Sequence, residues 1–160
     1  IKGEDESVWR LLEEELPLSS YTIDTGSLAD GNYRIRVEVS DRAENPAESA
    51  TTASLVSELF TVDNSSPRIT RLSAAPTGTP GEWEITAEVE DALSILASAE
   101  YAVDSLEEFR AVLPEDGVFD FVKETFRFRV RPEKPQPEHV LTLRVTDREG
   151  NVQVGKILLK

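Results

Sequence analysis

A single histidine, a set of loop carboxylates and a row of arginines are the groups in this sequence with reactive or ligating potential. His139 stands among Pro135, Pro137 and Glu138 at the start of an alternating run. An imidazole works as a general base or a metal ligand only beside a partner, and no serine elbow or second ligand stands at a matching spacing. It is read as a structural or exposed histidine. Paired carboxylates can hydrolyse glycosidic bonds, but 31 Asp and Glu residues make chance pairs inevitable, and no pair is marked out by its surroundings. There is no glycine-rich phosphate loop and no zinc-ligand spacing. The chain is therefore expected not to be an enzyme by itself, with no catalytic and no cofactor-binding residues, unless further sequence supplies a site.

Calcium is the ligand the carboxylates leave open, because a hard cation takes about six to eight oxygen atoms from side chains, carbonyls and water. Asp41, Asp63, Asn64, Asp91, Asp104, Asp147 and Asn151 all fall at strand ends or in loops, and Asp63, Asn64, Asp91 and Asp147 are the metal candidates among them. The competing reading is that these residues make ordinary turns by bonding their own backbone. The expectation is no cofactor, calcium being the exception held open. Arg127, Arg129 and Arg131 form a basic row on one strand face, suited to an anionic glycan or an acidic partner. Glu124 and Glu133 flank the row, and cross-strand acidic neighbours are expected to neutralise it. The loop from Asn45 to Ser57, rich in Ala, Ser and Thr, reads as a flexible connection or a binding loop. Asn64-Ser65-Ser66 fits the glycosylation acceptor pattern. Trp9, Trp83 and Tyr101 are expected to be core aromatics and not a sugar platform.

Charge narrows the partners. Lys and Arg number 17 against 31 acidic residues, a net charge of −14, so a nucleic-acid partner is not expected. No apolar run reaches the roughly 20 residues of a membrane helix, so no membrane insertion is expected, and the opening residues lack the pattern of a signal peptide. Without cysteine there is no disulfide framework and no thiolate site.

The elements that must position these groups are strands. Apolar residues take every second place in Tyr33, Ile35, Val37 and Val39, in Trp83, Ile85, Ala87 and Val89, in Phe126, Phe128 and Val130, and in Leu141, Leu143 and Val145. One wet and one dry face per strand predicts antiparallel sheets packed face to face. The core is expected to contain Tyr33, Ile35, Val37, Val39, Trp83, Ile85, Val89, Phe126, Phe128, Leu141, Leu143 and Val145, with Arg34, Arg36, Arg127 and Arg129 outside. Between Asp104 and Leu113 the spacing is ambiguous, since Asp104 with Glu107 is suited to capping a short helix.

An internal repeat organises the chain. With Asp41 set against Asp147, Tyr33 to Asn45 aligns with His139 to Asn151, and the alternation, the Asp-Arg pair and the Asn coincide. Upstream, Tyr21 and Ile23 correspond to Phe126 and Phe128, and Trp9-Arg10 to Phe109-Arg110. The expected fold is all-β, two tandem antiparallel β-sandwiches over residues 1–65 and 66–160. The second has room for a seven-strand unit of about 100 residues. The first has only eight residues before Trp9, so it is expected to lack its N-terminal strands. The expectation is that this is a piece of a longer polypeptide, consistent with the absence of an initiator methionine, or that a second chain completes the first sandwich.

The stretch Leu28-Ala-Asp-Gly31-Asn-Tyr33 with its alternating continuation resembles the late strands of fibronectin type III domains. With Trp9-Arg-Leu-Leu, Tyr21-Thr-Ile-Asp24 and Phe60-Thr-Val-Asp-Asn-Ser-Ser-Pro67, the chain is similar to bacterial immunoglobulin-like and fibronectin type III-like repeats of extracytoplasmic multidomain proteins. Tyr101-Ala-Val-Asp104, Asp116-Gly-Val-Phe-Asp120 and Val145 to Asn151 extend the resemblance to the second copy. It implies a tyrosine corner at Tyr33, replaced by His139 in copy two. It also implies a non-catalytic structural or interaction module of a secreted, periplasmic or surface protein, spacing domains and binding a protein or glycan. The alternatives are an accessory region of a larger enzyme and a calcium-stiffened adhesin-type repeat. The Asp63-Asn64 to Pro67 linker resembles a cadherin junction, although the other acidic motifs of that family are not in matching order.

Overall fold

Twelve strands and one short 3₁₀ turn make up the regular structure of the described residues, which in this computed structural model are 1–46 and 48–160. The chain divides into two compact units, Ile1–Asn64 and Ser65–Lys160. No helix among the described residues is long and apolar enough to cross a membrane.

In the second unit the period-two pattern is used in full. Strands β6 (Arg68–Pro76), β7 (Trp83–Glu90) and β10 (Lys123–Val130) form one antiparallel sheet in the order β10-β7-β6. Strands β8 (Leu96–Val103), β9 (Arg110–Val112), β11 (His139–Asp147) and β12 (Val152–Leu159) form the other, in the order β12-β11-β8-β9. Ile85, Ala87 and Val89 of β7 and Phe126 and Val130 of β10 share one core with Leu96 and Ala99 of β8 and Leu141, Leu143 and Val145 of β11. Two sheets joined by one apolar core make a β-sandwich. Each fully buried Phe or Leu contributes about 1.5–3 kcal/mol of transfer free energy, which makes this core the main source of the unit's stability. Gly155 of β12 sits where a Cβ would come within 2.8 Å of Ile69 Cδ1, so its missing side chain lets β6 pack closely over β12.

The first unit is thinner. Strands β1 (Lys2–Gly3), β2 (Gly31–Arg34) and β5 (Phe60–Val62) form a sheet in the order β1-β2-β5, around a small core of Ile1, Tyr33 and Val62. Strands β3 (Arg36–Ser40) and β4 (Thr52–Val56) form a separate ribbon. The alternating run from Tyr33 to Val39 is thus split at Ile35, whose N–H donates to Ser57 Oγ and whose carbonyl accepts from the Ser57 N–H, in place of a continuous ladder.

Several expectations are corrected. Val37 and Val39 are 51% and 66% exposed, because among the described residues of the first unit no second sheet covers the ribbon. Ile35, Trp83 and Phe128 are half-buried, and the other expected core residues are buried. Arg34, Arg36, Arg127 and Arg129 stay out of the core as expected. Residues 21–24 form no strand, unlike the β10 residues aligned with them, which pair with β7; among the described residues the first unit has no strand in that role. The Asn45–Ser57 segment is not all loop, since Thr52–Val56 is β4; Ala47 within it lies outside the described residues. No helix follows Asp104. Ser105 Oγ accepts from the Glu107 and Glu108 amides there, and Asp104 itself has a left-handed φ of 54°, with its carboxylate engaged elsewhere.

Candidate functional site

Two of the buried acidic groups, Asp91 and Asp147, lie at one end of the second unit. Strand β7 ends at Glu90, and residues 91–95 carry the chain across to β8 in the opposite sheet. The Asp91 N–H donates to the Val122 carbonyl, and Asp91 Oδ1 accepts from the Leu93 and Ser94 amides at 2.9 Å each, which holds the connection in a tight turn. Strand β11 ends at the same end, at Asp147, just past a register shift against β8. The Arg148 N–H then donates to the Ile95 carbonyl and ties the two connections together.

This brings together Asp91 and Asp147, which lie far apart in sequence. One carboxylate oxygen of each lies within 4.8 Å of the other, and the residues are only 8% and 1% exposed. Asp147 Oδ1 accepts from the Asn151 amide at 2.8 Å and Oδ2 from Asn151 Nδ2 at 2.9 Å. Asp91 Oδ2 and Ser94 Oγ are buried with no hydrogen-bond partner among the described residues. Neither Asp91 nor Asp147 takes part in any ion pair of the described residues. Two buried like charges with an unsatisfied oxygen are costly in a low-dielectric site. The donor set is all oxygen, the set a hard cation takes.

Two further metal candidates, Asp63 and Asn64, belong to the first unit. Asp63 follows β5 and is buried in the first unit's last segment. Asn64 acts as a clamp: its N–H donates to Asp30 Oδ1 at 2.8 Å, and its Nδ2 donates to the Thr25 and Leu28 carbonyls at 3.1 Å each. A glycan on Nδ2 would replace one of its two hydrogens and so remove one of those side-chain bonds. Asp41 holds its own hairpin, accepting from the Thr51 amide. Asp104 sits at the far end of β8 from Asp91.

Asp104 and His139 form a pair that the sequence pattern did not point to. His139 Nδ1 and Asp104 Oδ2 are 2.5 Å apart, with the ring N–H donating, and Asp104 Oδ1 accepts from the Val140 amide at 2.8 Å. These two bonds, the histidine's first, hold the Asp104 carboxyl below its ordinary range. His139 is buried, and its partnership ties the start of β11 to the end of β8. Its counterpart Tyr33 does the equivalent local work by donating from its hydroxyl to the Ala29 carbonyl at 2.7 Å.

The arginine row is neutralised unevenly, in part by a cross-strand acidic neighbour on β7 as expected. Arg127 pairs with Glu115 at 2.7 Å and approaches Glu84 at 3.9 Å. Glu133 pairs instead with Arg110, and Glu124 is buried, its Oε1 accepting from the Asp120 and Phe121 amides. Arg129 and Arg131 border a shallow cavity together with Arg110 and Lys134. Of the expected core aromatics, Trp83 and Tyr101 pack against the main core, and Tyr101 stacks on Phe128 at 4.6 Å. Trp9 does not join a core: it is half-buried with Arg36 at 4.8 Å and Lys2 at 5.4 Å from its ring. No protein-family model and no curated protein matches this chain.

Proposed function

We propose that this chain is a non-catalytic structural and interaction module of a larger extracytoplasmic protein. It comprises two tandem sandwich units of the fibronectin type III or immunoglobulin type, which space neighbouring domains and present a sheet face to a protein or glycan partner. The strand order supports the fold assignment. Lettered along the chain, with β9 as an extra edge strand, the second unit has A-B-E in one sheet and C, F and G in the other, as in a seven-strand sandwich. The tyrosine-corner bond of Tyr33 supports it in the first unit. The extracytoplasmic placement rests on the sequence resemblance.

One observation carries the interaction role. Leu143 and Val145 are fully buried, while their repeat counterparts Val37 and Val39 are more than half exposed, beside Leu55 at 78%. Val37 is paired with Leu55 and Val39 with Ala53, so the four side chains line one face of the β3–β4 ribbon. A face of this composition is covered by the apolar side of another sheet, supplied by the parent polypeptide or by a second chain. Hydrogen exchange tests this. In the 160-residue chain the β3 and β4 amides exchange fast, and in the polypeptide purified from its source they slow by about a hundredfold or more. Equal exchange in both would overturn the reading.

A further inference from the structure

We propose that Asp91, Asp147 and Ser94 hold a calcium ion at the end of the second unit. The proposal is independent of the reading of the exposed ribbon. It begins from an electrostatic problem: two carboxylates are buried next to one another, and neither pairs with any cationic side chain among the described residues. Folds seldom leave buried charge in that condition, because burial removes hydration and repulsion adds to the cost. A cation relieves both.

The unsatisfied atoms are the second, separate observation. Asp91 Oδ1 is consumed by the turn amides of Leu93 and Ser94, while Oδ2 is buried and without a partner. Ser94 Oγ, on a residue 8% exposed, is also without one. A hydroxyl and a carboxylate oxygen orphaned within one turn offer donors to a cation. Asp147 accepts one bond from Asn151 at each of its oxygens, and each oxygen keeps a further lone pair.

Chemistry favours calcium over magnesium, because magnesium demands near-ideal octahedral geometry and gives up its water reluctantly, whereas calcium accepts an irregular all-oxygen set with bonds of about 2.4 Å. The upper bound on the Asp91–Asp147 separation is 4.8 Å. Water and main-chain carbonyls fill the remaining positions of the shell.

The test uses the metal-free 160-residue chain, titrated with calcium chloride by calorimetry and melted with and without the ion. One site is expected, with an affinity in the range of about 0.1–1 mM found for extracellular modules. At about 10 mM calcium the unfolding midpoint of the second unit rises by several degrees, and magnesium gives a smaller rise. Asp91→Asn weakens calcium binding by about tenfold or more, yet in chelator it is at least as stable as the parent, since it removes a buried charge. Ser94→Ala keeps both charges; it weakens binding severalfold and raises the metal-free midpoint, since it deletes an orphaned hydroxyl. No heat and no shift up to about 10 mM calcium in the parent chain overturns the proposal, whether or not the variants fold. So does a calcium response that survives Asp91→Asn intact, which would assign the effect to screening of the acidic surface.

Discussion

The hairpin β3–β4 of the first unit and the hairpin β11–β12 of the second carry closely matching sequence and meet opposite environments. Ile35, Val37 and Val39 align with Leu141, Leu143 and Val145. The first set is half-buried to exposed and the second is wholly buried. The Asp-Arg motif that follows diverges in the same way. Asp41 is exposed and closes a long turn by accepting from the Thr51 amide, whereas Asp147 is 1% exposed and accepts from Asn151 in a tight turn. The first residue of each run also differs, Tyr33 bonding to local backbone and His139 to the Asp104 carboxylate across the sheet. A strand's alternation states which face is apolar. It does not provide the sheet that covers that face.

The largest expected difference between the two copies is therefore in truncation of equivalent residues. Leu143→Ala leaves a cavity in the closed core and costs the second unit about 2–5 kcal/mol. Val37→Ala, on the open ribbon, costs less than about 0.5 kcal/mol. Urea unfolding reads the two separately by fluorescence, because Trp9 belongs to the first unit and Trp83 to the second. Equal losses would mean that the ribbon is covered in solution, and the contrast drawn here would fail.

A smaller contrast lies in the turns. Gly150 has a φ of 92°, a left-handed conformation unfavourable for any residue with a Cβ, so Gly150→Ala costs about 1–2 kcal/mol. Glu44, its counterpart in the first copy, has no positive φ, and Glu44→Ala leaves the midpoint unchanged. A neutral Gly150→Ala would show that the β11–β12 turn relaxes freely.

The smallest and most specific contrast is in pH dependence. In the folded protein the Asp104 carboxyl is held below its ordinary value of 3.8 by His139 and by the Val140 amide. The unfolded chain therefore binds that proton first. The stabilisation is complete above about pH 4 and drains away as pH falls through the lowered folded value. Glu90, lowered by its bond with Arg68, adds to the same acid limb. Asp104→Asn should flatten the acid limb of the second unit's stability curve and leave the first unit's unchanged. An unaltered limb would remove Asp104 from the account.

Much of the architecture could be read from residue order. The strands β7, β10 and β11 lie where period-two alternation placed them, and the outward position of Arg127 and Arg129 follows from the same periodicity. Asp91 and Asp147 could be recognised as loop-end carboxylates, one by one. Their convergence could not, because it depends on the 91–95 crossing and the end of β11 meeting at one end of the sandwich. Ser94 gave no signal, since a lone serine in a turn is common. The His139–Asp104 pair was hidden for the same reason: it spans the β11–β8 ladder, and no local spacing encodes it. Local order by itself determined most of the strands and their faces, because backbone geometry makes neighbouring side chains alternate. Tertiary structure alone decided which of two near-identical faces is dry and which distant carboxylates share a buried site, because burial and convergence depend on elements far apart in the chain.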